Sequence, residues 1–162
     1  MVVAVVGSVI LGALASLLFY SGRSFAAMAN YIDLESQSKL ALDRMTKEIR
    51  QANRLVASTT NSITLEDSNL HPIRYAYDAA TKTVTRSTNG VADARPLLKE
   101  CDAIQFSIFQ RNPVGGTYDQ YPVAAPGTCK LVQLYWICSR KTIGTLMNTE
   151  SIQSAKVVIR KQ

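Results

Sequence analysis

The sequence has 162 residues, which is enough for one domain of ordinary size and too short for two. Its 18 lysines and arginines exceed its 12 aspartates and glutamates by six, an excess too small and too scattered to indicate a nucleic-acid-binding surface. A hydrophobic content of 47% excludes a disordered or collagen-like chain. Three cysteines are too few for a disulfide-rich scaffold.

The N-terminal segment predicts a membrane helix. Residues 2–19 carry no charge, and the first charged residue is Arg23. Insertion into a bilayer is favoured by about 3 to 7 kcal/mol before the small and polar residues are counted. Residues 1–22 make about 33 Å of helix, close to the roughly 30 Å thickness of the hydrocarbon layer. The positive-inside rule would place Arg23 toward the cytoplasm, but a single arginine is weak evidence for the orientation of the helix, and an upstream segment could reverse it.

A cleaved signal peptide is the rival interpretation of this segment. Small residues at 13–15 and at 26–29 offer cleavage sites. Against this, no lysine or arginine precedes the apolar run, which is longer than the usual core of a signal peptide. The sequence therefore favours a retained membrane helix.

Small residues recur through the apolar segment and predict close contact with other membrane helices. Ser8, Gly12 and Ser16 are spaced by four residues and share a helix face. Because glycine and alanine are common in membrane helices in general, this spacing is weak evidence when taken alone. The residues predicted to pack against other membrane helices are Gly7, Ser8, Gly12, Ala15 and Ser16.

The helix is predicted to continue beyond the membrane segment to about residue 56, because no proline occurs before Pro72 and good helix formers are frequent. Phe25, Met28 and Ile32 are predicted to begin one apolar stripe that continues through the second half of the helix. The second half of the stripe is predicted to pack on a sheet of the same chain, through Leu42, Met45, Ile49, Ala52 and Val56. A partner helix is the alternative for this surface.

From residue 63 onward the period of the apolar residues falls to two, which is typical of strands. Strands are predicted at residues 63–66, 73–77, 81–88, 103–110, 130–138 and 155–160, and Asn89-Gly90 predicts a tight hairpin turn. Residues 111–128 are predicted to form a long loop, and residues 139–154 have no clear periodicity. The chain is thus predicted to be an α+β protein, a long N-terminal helix packed on an antiparallel sheet. Its parts are a membrane half at 1–22, an amphipathic half at 23–57 and a β-rich domain at 58–162.

The sequence offers little for catalysis, cofactor binding or metal binding. His71 is the only histidine and precedes a proline, so it is predicted to be a turn residue. The cysteines lack the C-x-x-C spacing of zinc and redox sites. Cys129 and Cys138 lie about 30 Å apart if they share one strand, so any disulfide includes Cys101. Pairing with Cys138 is favoured over pairing with Cys129, although the alternating faces of the two strands do not place the sulfurs directly opposite each other.

Residues 1–25, together with LALDRMTKEIRQANRL at residues 40–55, resemble the N-terminal helix of type IV pilin-like proteins, specifically the J-type minor pseudopilins and W-type minor pilins. In this resemblance, residues 44–52 correspond to the stretch that packs on the β-domain, and residues 156–161 correspond to the closing strand. The glycine, aromatic residue and glutamate of the prepilin peptidase motif are absent. They would precede Met1, so either the natural product begins upstream, which we expect, or the protein is not processed and assembled as members of this family are.

The resemblance implies a structural subunit without catalysis or cofactor. It implies a single-pass protein of the inner membrane whose C-terminal domain lies outside the cytoplasm and which enters a type IV pilus or type II secretion filament. The implied partners are other pilin or pseudopilin subunits, inner-membrane lipid and an inner-membrane assembly platform, and nucleic acid is not expected. Two alternatives stay open: a signal-anchored extracytoplasmic binding or sensor domain, and a pilin-like subunit for DNA uptake or adhesion.

Overall fold

A long N-terminal helix, α1 (Val2–Gln51), opens the fold. The computed structural model describes residues 2–111, 120–122, 125–141 and 148–160. At 1.5 Å per residue, the 50 residues of α1 make a rod about 75 Å long. The helix runs without interruption from the apolar segment into the amphipathic segment, as the absence of proline predicts.

The helix ends at Gln51, and the prediction that it continues through Val56 is wrong. The backbone N–H of Asn53 donates to the carbonyl of Glu66 at 2.7 Å, and its side-chain amide donates to the carbonyl of Asp67 at 2.6 Å. These bonds turn the chain into a strand, on which Val56 is 47% exposed instead of packing on the sheet. The β-structure therefore begins at Arg54, before the predicted boundary at residue 58.

Five strands form the first antiparallel sheet of the described chain, in the order β1-β2-β3-β4-β5. Their bounds are β1 (Arg54–Ser58), β2 (Ser62–Glu66), β3 (Pro72–Asp78), β4 (Thr83–Thr88) and β5 (Val91–Ala92). Strands β2, β3 and β4 match the prediction, and β1 was not predicted. Asn89 and Gly90 have φ values of 52° and 80°, which confirms the predicted tight turn. His71 lies between β2 and β3, where its backbone N–H donates to the Asp67 carboxylate at 2.9 Å.

The second antiparallel sheet has the order β7-β6-β8-β9 in the described residues. Its elements are β6 (Cys101–Arg111), β7 (Gln120–Pro122), β8 (Leu131–Lys141) and β9 (Asn148–Val158), with a short 3-10 helix at Pro126–Thr128. Strand β7 lies within the predicted loop 111–128, of which residues 112–119, 123 and 124 lie outside the described residues. Strand β9 begins well before residue 155, the predicted start. The prediction is too late because the first half of this strand is polar and lacks the alternation of apolar and polar residues that identifies a strand.

The second half of α1 packs mainly on β8 and β9 and completes the hydrophobic core. Met45 and Ile49 are fully buried and Leu42 is half-buried, while Ala52 is buried just beyond the helix end. Burying a side chain as large as Met45 contributes about 1.5 to 3 kcal/mol. The described chain is thus an α+β protein in which a long apolar helix packs on antiparallel sheets, a pilin-like architecture.

Candidate functional site

Two apolar faces of α1 point in opposite directions, so the prediction of one continuous stripe is wrong. Phe25 and Met45 are separated by 20 residues, about 5.6 turns of helix, so they lie on nearly opposite sides. The Met45 side packs on the sheets, whereas Phe25, Met28 and Ile32 are 69%, 60% and 61% exposed. Polar residues lie between the two apolar series, so local spacing alone does not reveal that the apolar surface moves by about 180° around the helix.

The outward-facing residues follow a regular heptad pattern, with alternating spacings of three and four. We define the exposed stripe as Leu11, Leu14, Leu18, Ser21, Phe25, Met28 and Ile32. Except for Ser21, which is half-buried, all of these side chains are exposed. A 3.5-residue repeat of apolar residues is the pattern by which helices pack along each other. This heptad pattern is not recognisable in the sequence alone, because the first half of the helix is apolar on every side.

The first half of α1 is long and apolar enough to cross a membrane. An 18-residue window reaches a mean hydropathy of 1.9, and none of it is buried in the protein. Beyond Gly22, the exposed stripe continues for about another 15 Å to Ile32. The apolar surface of the helix therefore extends past the length that a bilayer requires.

The small residues predicted to pack against other membrane helices all lie on this bare part of α1. A Cβ atom added at Gly7 or Gly12 would meet nothing within 4 Å. The hydroxyl groups of Ser8 and Ser16 donate to carbonyls one turn earlier, those of Val5 and Ala13, both at 2.8 Å. Because these hydroxyls are bonded within the helix, they do not need water as a partner. Contact between this set, Gly7, Ser8, Gly12, Ala15 and Ser16, and another helix stays a prediction.

Polar contacts fix the point at which the helix reaches the second sheet. The Arg140 guanidinium binds the Asp33 carboxylate at 2.9 Å and the Glu100 carboxylate at 2.6 Å. The Ser151 hydroxyl donates to Glu35 at 2.8 Å. Hydrogen bonds from Gln37 and Arg140 lower the pKa of Asp33, and the bond from Ser151 lowers the pKa of Glu35. The sheets are thus tied to α1 directly after the exposed stripe ends.

A second polar cluster holds the end of α1 against the first sheet. The Glu48 carboxylate accepts a hydrogen bond from the Tyr75 hydroxyl at 2.5 Å and binds the Arg86 guanidinium at 3.0 Å. Arg86 also binds Asp93, which in turn binds Arg44 of the helix, both at 3.0 Å. Burial and the neighbouring Glu48 carboxylate raise the pKa of Tyr75. Two cations and two carboxylates balance each other, so this cluster has a structural role that the sequence did not reveal.

The basic residues near the C-terminus do not form an array with exposed aromatic residues in the described chain. Trp136 is fully buried in β8. Arg140 is bound to Asp33 and Glu100, and the Lys156 ammonium lies 5.5 Å from the centre of the Phe109 ring. A shallow cleft beside Arg140 contains charges that pair with each other, such as Lys82 with Asp102 at 2.7 Å.

The structure makes Cys101 and Cys138 direct neighbours across the β6–β8 ladder, and both side chains are buried. The expectation that their sulfurs do not face each other is wrong, because the pairing shifts by one residue between Cys101 and Ala103. Cys129 lies before the start of β8, at the other end of the ladder.

No protein-family model matches the sequence, and no curated protein matches it at a significant level. The two faces of α1 are therefore the main basis for a functional proposal.

Proposed function

We propose that the protein is a minor pilin-like or pseudopilin-like structural subunit of a type IV pilus or type II secretion filament, and that it acts by assembly through its N-terminal helix. In this proposal α1 is held in the inner membrane by a single pass, and the sheets lie outside the cytoplasm. Its partners are other pilin or pseudopilin subunits, with inner-membrane lipid around the helix before assembly. An inner-membrane assembly platform is a further partner, as the sequence resemblance implies.

The observation that carries the proposal is the exposed stripe on the side of α1 that faces away from the sheets. A helix whose only task is to cover its own sheet needs one apolar face, and its other faces are polar. Here Phe25, Met28 and Ile32 stay exposed although the opposite face is already used for packing. Exposed apolar surface of this kind is typical of an interaction site.

Lipid covers the first part of the exposed stripe but not its last part. If Arg23 lies at the membrane surface, then Ile32 is about 14 Å further along the helix. Between them the helix has no charged residue, and Asp33 follows directly after Ile32. A neighbouring helix covers both parts at once, because heptad packing is continuous along the helix axis.

A charge placed on the exposed stripe tests the proposal, and the adjacent residue supplies a matched control. Phe25→Asp puts a carboxylate on the stripe, whereas Ala26→Asp puts the same carboxylate about 100° away at nearly the same height, on an exposed residue that is not three or four positions from any member of the stripe. Loss of an apolar anchor from the centre of an interface costs about 2 kcal/mol or more, which weakens binding roughly 30-fold. We expect Phe25→Asp to abolish most crosslinked adducts with other pilin-like subunits, and Ala26→Asp to preserve them.

The measurement is chemical crosslinking in intact cells at matched expression, with the adducts identified by mass spectrometry. Equal adduct yields in the two variants would contradict assembly through this face. A wild-type chain that gives no subunit adducts would instead favour a signal-anchored binding or sensor domain. Adhesion and DNA uptake are narrower versions of the same assembly hypothesis, and salt-dependent DNA binding would be the sign of the second.

A further inference from the structure

Cys101 and Cys138 occupy a position in the second sheet that suits a covalent bond between adjacent strands. They are register partners in the antiparallel ladder of β6 and β8, and their side chains are 0% and 1% exposed. The Ser38 side chain of α1 lies beside the Cys138 sulfur and is itself fully buried. Both sulfurs are therefore in the core between the helix and the second sheet.

The backbone hydrogen bonds show which kind of cross-strand pair the two cysteines form. The N–H of Ser139 donates to the carbonyl of Glu100 at 3.0 Å, and the N–H of Cys101 donates to the carbonyl of Lys82 at 2.9 Å. The first bond flanks the cysteine pair, and the second shows that the Cys101 N–H points away from β8, which together are the arrangement of a non-hydrogen-bonded pair. The Cα atoms of such a pair lie about 4.5 Å apart and their side chains approach closely. This separation is at the short end of the range that disulfides span, about 4.4 to 6.8 Å.

A bulge at Asp102 creates this pairing. Ala103 is opposite Ile137, so regular pairing would place Asp102 opposite Cys138. Cys101 would then lie one position further along and point to the other face of the sheet. The extra residue brings Cys101 back to the buried face.

Contacts on both sides of the bulge hold it in place. The Tyr77 hydroxyl lies within hydrogen-bond distance of the carbonyls of Cys101 and Asp102, at 3.0 and 2.9 Å. The Asp102 carboxylate points outward, where it binds the Lys82 ammonium at 2.7 Å and the Ser139 hydroxyl. The pairing of the cysteines is thus built into the fold by several residues outside the pair.

We propose that Cys101 and Cys138 form a structural disulfide that staples β6 to β8, and that Cys129 stays a thiol. The oxidant is a protein disulfide of the extracytoplasmic thiol–disulfide oxidoreductase class. The location of the sheets outside the cytoplasm rests on the proposed function, whereas the pairing of the two cysteines does not. One cysteine thiolate attacks the disulfide of the oxidant, forming a mixed disulfide and releasing one thiol of the oxidant. The second cysteine thiolate then attacks the sulfur of the first cysteine, forming the Cys101–Cys138 bond and releasing the other thiol of the oxidant.

Atoms and electrons balance in this exchange. The two protons of the cysteine thiols end on the two thiols of the oxidant, the cysteine pair is oxidised by two electrons, and the disulfide of the oxidant is reduced by two. The contact between the sulfurs lowers the pKa of Cys138 and raises the pKa of Cys101. Because both sulfurs are buried in the folded protein, the exchange takes place before the second sheet closes over them, and the finished bond is shielded from reductants.

Cys129 is excluded from the bridge by its position. The residue after it, Lys130, donates its backbone N–H to the carbonyl of Phe109, eight residues along β6 from Cys101. This places Cys129 roughly 25 Å from the cysteine pair at about 3.3 Å per residue. Its thiol is buried and contacts the carbonyl of Leu131 at 3.5 Å.

Thiol counting on the full-length protein in detergent tests the pairing. The chain is reduced, unfolded and refolded in a mixture of reduced and oxidised glutathione, and its free thiols are then labelled under denaturing conditions. We expect one label on the wild type, at Cys129, and three after reduction. Cys129→Ala is expected to give no label before reduction, and Cys101→Ala to give two, at Cys129 and Cys138. Three labels on the refolded wild type, or a bridge that includes Cys129, would overturn the proposal.

A second arm separates this inference from the proposed function. The same labelling is applied to protein trapped with acid from intact cells, so that its redox state in the cell is preserved. One label there supports the disulfide and the extracytoplasmic position of the sheets together. Three labels in cells, combined with one label after refolding with glutathione, would leave the pairing intact and contradict the extracytoplasmic position.

Discussion

Replacing Glu48 by alanine is expected to destabilise the folded domain by about 3 kcal/mol, since it removes one partner from a largely buried ion pair. Arg86, whose side chain is only 13% exposed, would keep a single carboxylate partner, Asp93. The Tyr75 hydroxyl would lose its acceptor. Alanine is a better helix former than glutamate, so helix propensity does not account for the loss. Denaturant unfolding of the full-length protein in detergent measures the change.

Lys39→Ala is the matched control for Glu48→Ala on the same helix. It breaks the pair with Glu35, in which the lysine side chain is 66% exposed, so we expect a change of about 0.3 to 0.5 kcal/mol. If Glu48→Ala also cost less than about 1 kcal/mol, the charged cluster would not be what holds the helix end to the first sheet.

Deleting residues 1–22 is expected to move the protein from the membrane fraction to the soluble fraction and to leave its fold intact. The apolar segment supplies about 3 to 7 kcal/mol of insertion energy before its small and polar residues are counted, so membrane partitioning should fall steeply, by up to about 100-fold for each 3 kcal/mol lost. The residues of α1 that complete the core begin at Leu34 and include Met45 and Ile49, and all of them remain. Fractionation and circular dichroism of the truncated chain measure the two effects.

Persistence of the truncated chain in membranes would show that residues 1–22 are not the anchor. Unfolding of the truncated chain would show that the first half of α1 contributes to the stability of the domain. A full-length chain extracted and assayed in the same buffer is the control for the fractionation.

Local patterns in the sequence predicted most of the secondary structure. The strands around Ile63 and Ile73 alternate between buried and outward-facing residues, so their period of two is visible without knowledge of the fold. The turn at Asn89-Gly90 was equally predictable, because few residue pairs accept two positive φ values. These features depend only on neighbouring residues.

The features that were missed depend on contacts between distant residues. The helix ends before Val56 because Asn53 binds Glu66 and Asp67, which follow it by more than ten residues in the sequence. The cysteines face each other because of a bulge, and a shift of one residue reverses which face of a strand is buried. No local pattern encodes either event.

The candidate assembly surface was identified only in part. Local spacing predicts Phe25, Met28 and Ile32 as an apolar series but assigns them to the wrong face of the helix. Which of two apolar faces covers the sheets is decided where the chain docks, and Asp33 and Glu35 fix that point through Arg140 and Ser151. Because the helix docks through this point, the face that carries Phe25, Met28 and Ile32 stays exposed.

The most direct test of assembly through α1 is a photocrosslinking scan along residues 24–32 of the full-length protein in its own cells. A photoreactive residue is placed at one position at a time, and the yield of adducts with other pilin-like subunits is measured at matched expression. The exposed stripe predicts maxima at positions 25, 28 and 32 and minima at positions such as 26 and 30. Yields that are uniform along the helix, or adducts with lipid only, would contradict assembly through this face.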